Sequence, residues 1–474
     1  MRKLAALLLL QLIACQSERS QSEIDARIAD FEANIVSGIQ IKGEQRVTET
    51  LAQRLEHHGV PAVSIAVMND GQIEWAKAYG MADVEEGRPA TTSTLFQAAS
   101  ISKPVAATAA LQLVDQGLIT LDQDVNELLT SWQVPDSRHT SSEKVTLRRL
   151  ITHTAGLTVH GFPGYARDET MPTTIEVLDG EGNTDPIVVD TVPGTMWRYS
   201  GGGYTVMQLL LEDLTGSAFE DLLSDRVLTP FGMSLSTYQQ PLPEVRHAEA
   251  ATAYRGGGTE VELKWHVYPE KAAAGLWTTP EDLARFALGI LDAYHGRSDV
   301  VLRQEIANAM LTPGMNNHGL GPSIITDGSG FGHGGANEGY RCQLYAFIDS
   351  GDGVAVMTNS DNGGILNQEI IGTLAEVYDW PALKPLLRTV VEVAPELLEE
   401  LAGRYDVPGE FVVMLEIVDD KLWVDVPTMG RQELLPESDS VFFGREDGTV
   451  LKFVRDDGRV VAFTVGSTRA ERLH

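Results

Sequence analysis

The run Pro104-Val105-Ala106-Ala107-Thr108-Ala109-Ala110-Leu111-Gln112-Leu113-Val114 reads as a helix with almost no polar face. Alanine and leucine favour the helix, proline sits in the first turn where its missing N–H does no harm, and Gly117 supplies the stop. Such a helix is buried on most sides, so other elements must surround it. At its mouth stands Ser100-Ile101-Ser102-Lys103. Residues three apart on a helix share a face, which puts a hydroxyl and an amine within hydrogen-bond reach. A lysine entering a buried helix has little structural reason to be there. The bland alternative is a serine that caps the helix and a lysine that snorkels to solvent.

The spacing alone is weak evidence, because Ser141-Ser142-Glu143-Lys144 repeats it. That copy lies in the polar run 136–144 after Pro135 and reads as a solvated loop. Ser100 instead follows Leu95-Phe96-Gln97-Ala98-Ala99, on the apolar side of the chain's texture.

The chain has 474 residues, enough for one large domain and a smaller one. Its 67 acidic and 36 basic residues leave a formal charge of -31, which argues against binding nucleic acid or an anionic membrane through a basic face. Arg2 and Lys3 precede the apolar run 4–14, too short to span a bilayer but matching a secretory signal. Leu12-Ile13-Ala14-Cys15 resembles a bacterial lipobox, so Cys15 is the expected lipidation site and lipid anchor. The protein is expected to be exported, and with Gln16 after the cysteine to be tethered at the outer membrane, facing the periplasm, if the host is Gram-negative. With Cys15 lipidated, Cys342 has no partner for a disulfide and reads as a small apolar strand residue. No His/Cys cluster stands at ligand spacing, so neither a metal nor any other cofactor is expected.

Residues 1–14 are read as signal peptide and 15–45 as tether and spacer. The body, 46–380, opens with a strand pair, 63–68 and 73–79, around Asn69-Asp70-Gly71. Helical texture follows from Ser100 to about Asp292, clearest at 146–153, 204–211 and 280–286, and strands return at 343–348 and 353–358. One sheet is therefore built from both ends of the body. A linker is expected at 381–395, punctuated by Pro381, Pro385 and Pro395, and a small β-rich domain at 396–474, with turns at Asp419-Asp420 and Asp457-Gly458.

A serine hydrolase needs more than Ser and Lys: an oxyanion must be stabilised and a water later activated. Tyr199 sits in Arg198-Tyr199-Ser200-Gly201-Gly202-Gly203-Tyr204, a glycine-rich turn opening a helix, where nearby cations could lower its pKa and make it a base or proton shuttle. Gly332-His333-Gly334-Gly335-Ala336-Asn337 precedes a returning strand. There the glycines let substrate lie along the strand edge, His333 offers a donor or positive charge, and a following N–H can complete an oxyanion hole. His153 and His160 tempt, but Gly156 and Pro163 break the helix that would align them, and His153 reads as a hydrogen-bonded core residue. Neither a Gly-x-Ser-x-Gly elbow nor His-Glu-x-x-His occurs.

In order and spacing, Ser-x-x-Lys, Tyr-Ser-Gly and His-x-Gly resemble the serine β-lactamase and penicillin-binding protein superfamily, in the branch of class C β-lactamases, esterases and DD-peptidases. The resemblance spans about residues 46–380 and includes Leu150-Ile151-Thr152-His153-Thr154-Ala155-Gly156-Leu157 and Ala274-Gly275-Leu276-Trp277-Thr278-Thr279-Pro280. It implies an α+β fold, with an antiparallel sheet flanked by helices beside a mainly helical lobe. It implies Ser100 as acylated nucleophile, Lys103 as its activator, Tyr199 as proton shuttle, and the N–H groups of Ser100 and Ala336 as oxyanion hole, with either Lys103 or Tyr199 taking the first proton.

Two departures stand out. Gly201 replaces the asparagine of Tyr-x-Asn, and His333-Gly334-Gly335 replaces Lys-Thr-Gly, so a permanent cation gives way to a group charged only near or below about pH 6.5. Both weaken recognition of anionic substrates. The expectation is a serine hydrolase acting through an acyl-enzyme on ester or amide substrates, small molecules or peptides, with β-lactams and D-amino-acid peptides among the options. Its rival is a non-catalytic scaffold that binds peptidoglycan fragments or a protein partner.

Overall fold

The computed structural model describes residues 21–474 apart from 408–410, 427–429, 467 and 474. The expected signal segment 1–14 and Cys15 lie outside the described residues. Among the described residues no helix is long and apolar enough to cross a membrane. The chain divides into two compact units, one of residues 59–367 and one joining the segment up to 58 with 368–474.

In the first unit a seven-stranded sheet is assembled from both ends of the sequence. Ala62–Asn69 and Gln72–Asp83 form a hairpin. Its turn residues Asp70 and Gly71 both have positive φ, the conformation that matches the twist of a two-residue hairpin. Ala62–Asn69 pairs on its other side with Gly353–Thr358, which pairs with Tyr340–Phe347, which pairs with Gly330–Asn337. Central strands read as near-continuous apolar runs because the sheet is covered: Gly353–Thr358 is buried throughout. The helix Pro280–Tyr294 packs across these strands. It starts as the sequence predicts, with Thr279 Oγ1 accepting from Asp282 N at 3.2 Å and proline in the first turn.

The helical lobe surrounds Ser102–Asp115, whose residues from Ser102 to Leu113 are all buried. Gly201–Thr215 packs against it and against the short helices Leu147–Ile151 and Lys271–Ala274. Of the predicted helix over 146–153 only five residues are helical, because His153 adopts a positive φ of 59° and ends it. The decoy Ser141 and Lys144 are exposed: Ser141 Oγ donates to Arg138 O at 3.0 Å, and Lys144 faces Asp124.

The β-rich C-terminal region is a closed eight-stranded barrel of consecutive strands from Gly403–Val407 to Thr468–Leu473, the first pairing with the last. Both expected turns are present, with positive φ at Asp419, Asp420, Asp457 and Gly458. The described part of the spacer carries a helix at 21–33 and a strand Ile39–Ile41, and the linker stretch carries Leu386–Arg388 paired parallel to that strand. The physical reason is apolar: Ile39 is buried with Leu435 and Phe443 of the barrel wall.

Candidate active site

Ser100 lies in a single tight turn, Ala99–Ile101, that runs straight into the buried helix. Ala99 holds φ at 49°, a left-handed conformation costing a non-glycine residue on the order of 1–2 kcal/mol, immediately before the serine. The turn persists because its surroundings fix it. Ser102 Oγ donates to Ala99 O at 2.5 Å and accepts from Leu276 N at 3.0 Å, while Ala98 N donates to Leu276 O at 2.8 Å. The middle serine of the motif is thus a clamp, a role the sequence reading missed. Ser100 itself caps nothing: the residue at the helix N-cap is Ile101, without a side-chain bond.

Lys103 Nζ donates to Ser100 Oγ at 3.0 Å and to Ala273 O at 2.8 Å. The side chain is 2 % exposed, and among the described residues it has no ion-pair partner. Burial penalises the ammonium and pushes its pKa down to about 7 from 10.5, a destabilisation of the charged form on the order of 5 kcal/mol. The ammonium also lies 4.9 Å from the centroid of the Tyr199 ring.

Tyr199 hydrogen-bonds to the Ser100 side chain, so the hydroxyl stands between an amine and a phenol. The expectation of a lowered tyrosine pKa is corrected: burial disfavours the phenolate and raises it, and the hydrogen bond from Ser100 offsets only part. Tyr199 is walled by rings: His153 at 4.2 Å between centroids, His160 at 4.8 Å and His333 at 6.2 Å. His153 is a buried core residue whose Nδ1 accepts from Ser200 N at 3.1 Å, as the sequence reading has it, yet it also packs directly on the candidate shuttle. His318, which the sequence reading passed over, packs on His153 at 4.8 Å and faces His333 at 6.3 Å. No motif marks it, and only the fold brings it here.

His333 is placed at the site, but not as a cation. Its Nδ1–H donates to Gly334 O at 2.6 Å, and burial with Lys103 nearby pushes its pKa down to about 3. His318 is pushed down to about 4, chiefly by burial, and His153 falls well below its usual value for the same reason. At neutral pH all three rings are uncharged.

Gly335 brings the strand edge to the nucleophile turn. A Cβ there would stand 2.2 Å from Ala98 O, so only glycine permits the approach. Asn337 Nδ2 fixes the register, donating to Gln97 Oε1 at 2.7 Å and Ala274 O at 3.1 Å. Ser323–Ile324 covers this strand only at Phe331 and Gly332, so from Gly334 to Ala336 its outer edge is not covered by that strand, with Ala336 exposed. Gly201 has its own reason. A Cβ on it would meet the Phe162 ring at 2.9 Å and His160 O at 3.1 Å, so the 160–162 loop occupies the space an asparagine side chain needs. Cys342 is a buried strand residue whose thiol donates to Gln97 O at 3.1 Å. Among the described residues no group of three or more His, Cys, Asp or Glu is arranged to hold a metal ion.

The chain has counterparts among known proteins. The Beta-lactamase family profile matches residues 47–372. Penicillin-binding protein 4 of Amycolatopsis lactamdurans is 30% identical over 387 residues, covering 76% of this chain and 96% of its own. Esterase EstB of Burkholderia gladioli is 31% identical over 200 residues, 40% of this chain and 50% of its own. Among solved structures, the octameric penicillin-binding protein homologue from Pyrococcus abyssi superposes with a TM-score of 0.61 at 22% identity, covering 89% of this chain and 98% of that one, a likeness of fold. With a family match across most of its first unit, and with the Ser-x-x-Lys turn and Tyr199 brought to one hydroxyl, this chain belongs to the β-lactamase family.

Proposed function

We propose that the protein is a serine hydrolase that cleaves uncharged esters or amides through an acyl-enzyme on Ser100. The observation that carries the reading is the buried Lys103 amine, 3.0 Å from Ser100 Oγ with its pKa near neutrality. A lysine of ordinary pKa is protonated at pH 7 and cannot accept a proton; one near 7 is about half in its base form. Lys103 therefore takes the Ser100 proton as Oγ bonds to the acyl carbon. The carbonyl π electrons move to oxygen, where the Ser100 and Ala336 N–H groups would receive them. Tyr199, kept protonated by burial, relays a proton to the departing alkoxide or amine as its bond to carbon breaks. In the second half a water gives up a proton to the same pair as it bonds to the ester carbon, the bond from that carbon to Ser100 Oγ breaks, the pair returns the proton to Oγ, and the acyl group leaves as a carboxylic acid.

The substrate class follows from charge. With His333, His318 and His153 neutral, the described site lacks the fixed cation that would hold a carboxylate beside the scissile bond. Relatives named as penicillin-binding protein and esterase support both amide and ester chemistry. The scaffold alternative loses ground because an idle site has no use for a buried, unpaired amine, whose desolvation is a standing cost. Export and anchoring through Cys15 remain part of the proposal on the strength of the lipobox alone.

The test is labelling with a fluorescent fluorophosphonate and a fluorescent penicillin, on the wild type and on Ser100→Ala. A Ser100-dependent fluorophosphonate adduct with slower penicillin labelling is the expected outcome. No Ser100-dependent adduct from either probe would favour the scaffold.

A further inference from the structure

We propose that Phe162 is a specificity-determining residue of the Ser100 site, the wall against which the acyl chain of the substrate packs, so that the preferred esters and amides carry a compact apolar acyl group. This rests on the hydrolase reading above and refines its substrate. Beyond Tyr199 and Ser200 the chain offers no side chain of its own, because Gly201, Gly202 and Gly203 follow. Another segment supplies the surface. His160 lays its ring on Tyr199 with 4.8 Å between centroids. Two residues on, the Phe162 ring stands against Gly201, its Cε2 2.9 Å and its Cδ2 3.4 Å from the place of a Cβ on that glycine.

This flank of the site is the open one. Ser100 and Tyr199 are partly accessible and His160 is exposed, whereas His153, His318 and His333 are buried. A substrate that reaches Ser100 therefore passes the His160 and Phe162 side. Phe162 is half-buried: part of its ring packs on the main core and part stays accessible. The loop that carries it is fixed. Val159 holds φ at 60°, a left-handed conformation that a β-branched residue keeps only when its surroundings impose it, and Pro163 restricts Phe162 to extended backbone. At one end Ser200 Oγ donates to Thr158 O at 2.8 Å and Gly202 N to Val159 O at 3.1 Å; at the other His266 Nδ1–H donates to Pro163 O at 3.0 Å.

The reaction itself divides a substrate into two halves. The leaving group takes its proton from Tyr199, and among the described residues the rings packed on Tyr199 are those of His153, His160, Trp197 and His333. Phe162 is not one of them. It stands off the proton path, which leaves it the acyl chain. A phenyl ring neither donates nor accepts a conventional hydrogen bond, so a charged or polar acyl chain laid on it loses water and gains no partner. An apolar chain gains about fourfold in kcat/KM for each methylene it buries there.

The experiment uses the full chain and two series of uncharged esters. In one, p-nitrophenol is the leaving group and the acyl chain grows from acetyl through propionyl to butyryl; in the other, acetyl is kept and phenol is compared with p-tert-butylphenol. In the wild type kcat/KM should rise by about tenfold or more from acetyl to butyryl. Phe162→Gln should reduce that rise to about threefold or less and Phe162→Leu should keep most of it, both with an unchanged far-UV spectrum, while the ratio between the two acetates stays the same in all three proteins. A flat acyl series in the wild type, with turnover that Ser100→Ala abolishes, would overturn the proposal without reliance on any Phe162 variant and leave the hydrolase reading standing. Turnover that does not depend on Ser100 would remove both. An undiminished rise in Phe162→Gln, or an effect of that variant on the ratio of the two acetates instead of on the acyl series, would also overturn the assignment of Phe162 to the acyl chain.

Discussion

Lys103 Nζ lies 3.0 Å from Ser100 Oγ at the floor of a site where, among the described residues, its only other hydrogen bond goes to a backbone carbonyl, Ala273 O. A carboxylate in that position would raise the lysine pKa and hold the amine protonated; a carbonyl orients it without fixing its charge. The pair therefore has a proton acceptor available at neutral pH.

The sign of the pH dependence follows. Below about 7 Lys103 is an ammonium and cannot accept the Ser100 proton, so kcat/KM for a neutral p-nitrophenyl ester should rise with pH through about 7 and then level off. Lys103→Ala should lower kcat/KM by about 10²–10⁴ while the fold persists. A profile flat from pH 5.5 to 8.5 would remove Lys103 from the base role.

A second prediction concerns His333. Were it a recognition cation, the preference for anionic over neutral substrates would fall as pH rises through 6 to 7. Held near 3 by burial, it is neutral across that range, so the ratio of kcat/KM for a cephalosporin and a short-chain ester should be low and constant from pH 5.5 to 8. Stopped rates with the two substrates at matched ionic strength decide it; a ratio that drops tenfold across that interval would restore the charged histidine.

The buried helix Ser102–Asp115, the Asn69-Asp70-Gly71 hairpin and the meander of the barrel were legible because each is encoded locally, by composition, by residues tolerating positive φ, or by alternation. Ser100, Lys103 and Tyr199 were legible as types at a spacing. Charge states were not. The sequence places His333 beside two glycines, which suggests an open turn, whereas the sheet and the neighbouring rings bury it and make it neutral. His318 and the wall it forms with His153 come from chain segments far apart, and no local pattern announces a long-range contact. The pairing of Ile39–Ile41 was hidden for a similar reason: its partner strand, Leu386–Arg388, lies far along the chain.

The three neutral rings make acid stability a test of the site's packing. A histidine whose folded pKa lies below its unfolded value of 6.5 contributes stability that is complete above 6.5 and is lost as pH falls toward the folded pKa. For His318 that window runs from about 6.5 down to about 4, and for His333 down to about 3. Glu270 works in the opposite sense: burial raises its carboxyl to about 7, so its contribution is present at low pH and is lost as pH rises from 4.5 through 7. Glu212 and Glu260 are raised as well, but the three histidines act together with lowered carboxylates such as Asp83 and Glu369, so stability should fall on acidification below 6. His318→Gln should reduce the slope of unfolding free energy between pH 5 and 6 by about one proton, roughly 1.4 kcal/mol per pH unit. Denaturant unfolding at several pH values gives the slope, and an unchanged slope would mean that His318 is solvated and protonates freely.

Gly201 tests whether the missing asparagine can simply be put back. In relatives with Tyr-x-Asn the amide reaches substrate and lysine, which makes Gly201→Asn look like a restoration of β-lactam recognition. The space is taken, however: the added Cβ alone falls 2.9 Å from the Phe162 ring and 3.1 Å from His160 O, and a backbone carbonyl does not swing aside as a flexible side chain does. Two backbone bonds tie this loop to the helix start, Gly201 N donating to His160 O at 2.9 Å and Gly202 N to Val159 O at 3.1 Å. Displacing the loop breaks those bonds and moves the His160 ring off Tyr199. Gly201→Asn should therefore cost about 1–3 kcal/mol of stability and lower ester turnover, without a gain in cephalosporin hydrolysis. The double variant Gly201→Asn, Phe162→Ala should recover part of the stability by opening room for the side chain. Differential scanning calorimetry and parallel assays on both substrates check the pair, and a rise in cephalosporin turnover in the single variant would show that the loop yields more readily than its hydrogen bonds imply.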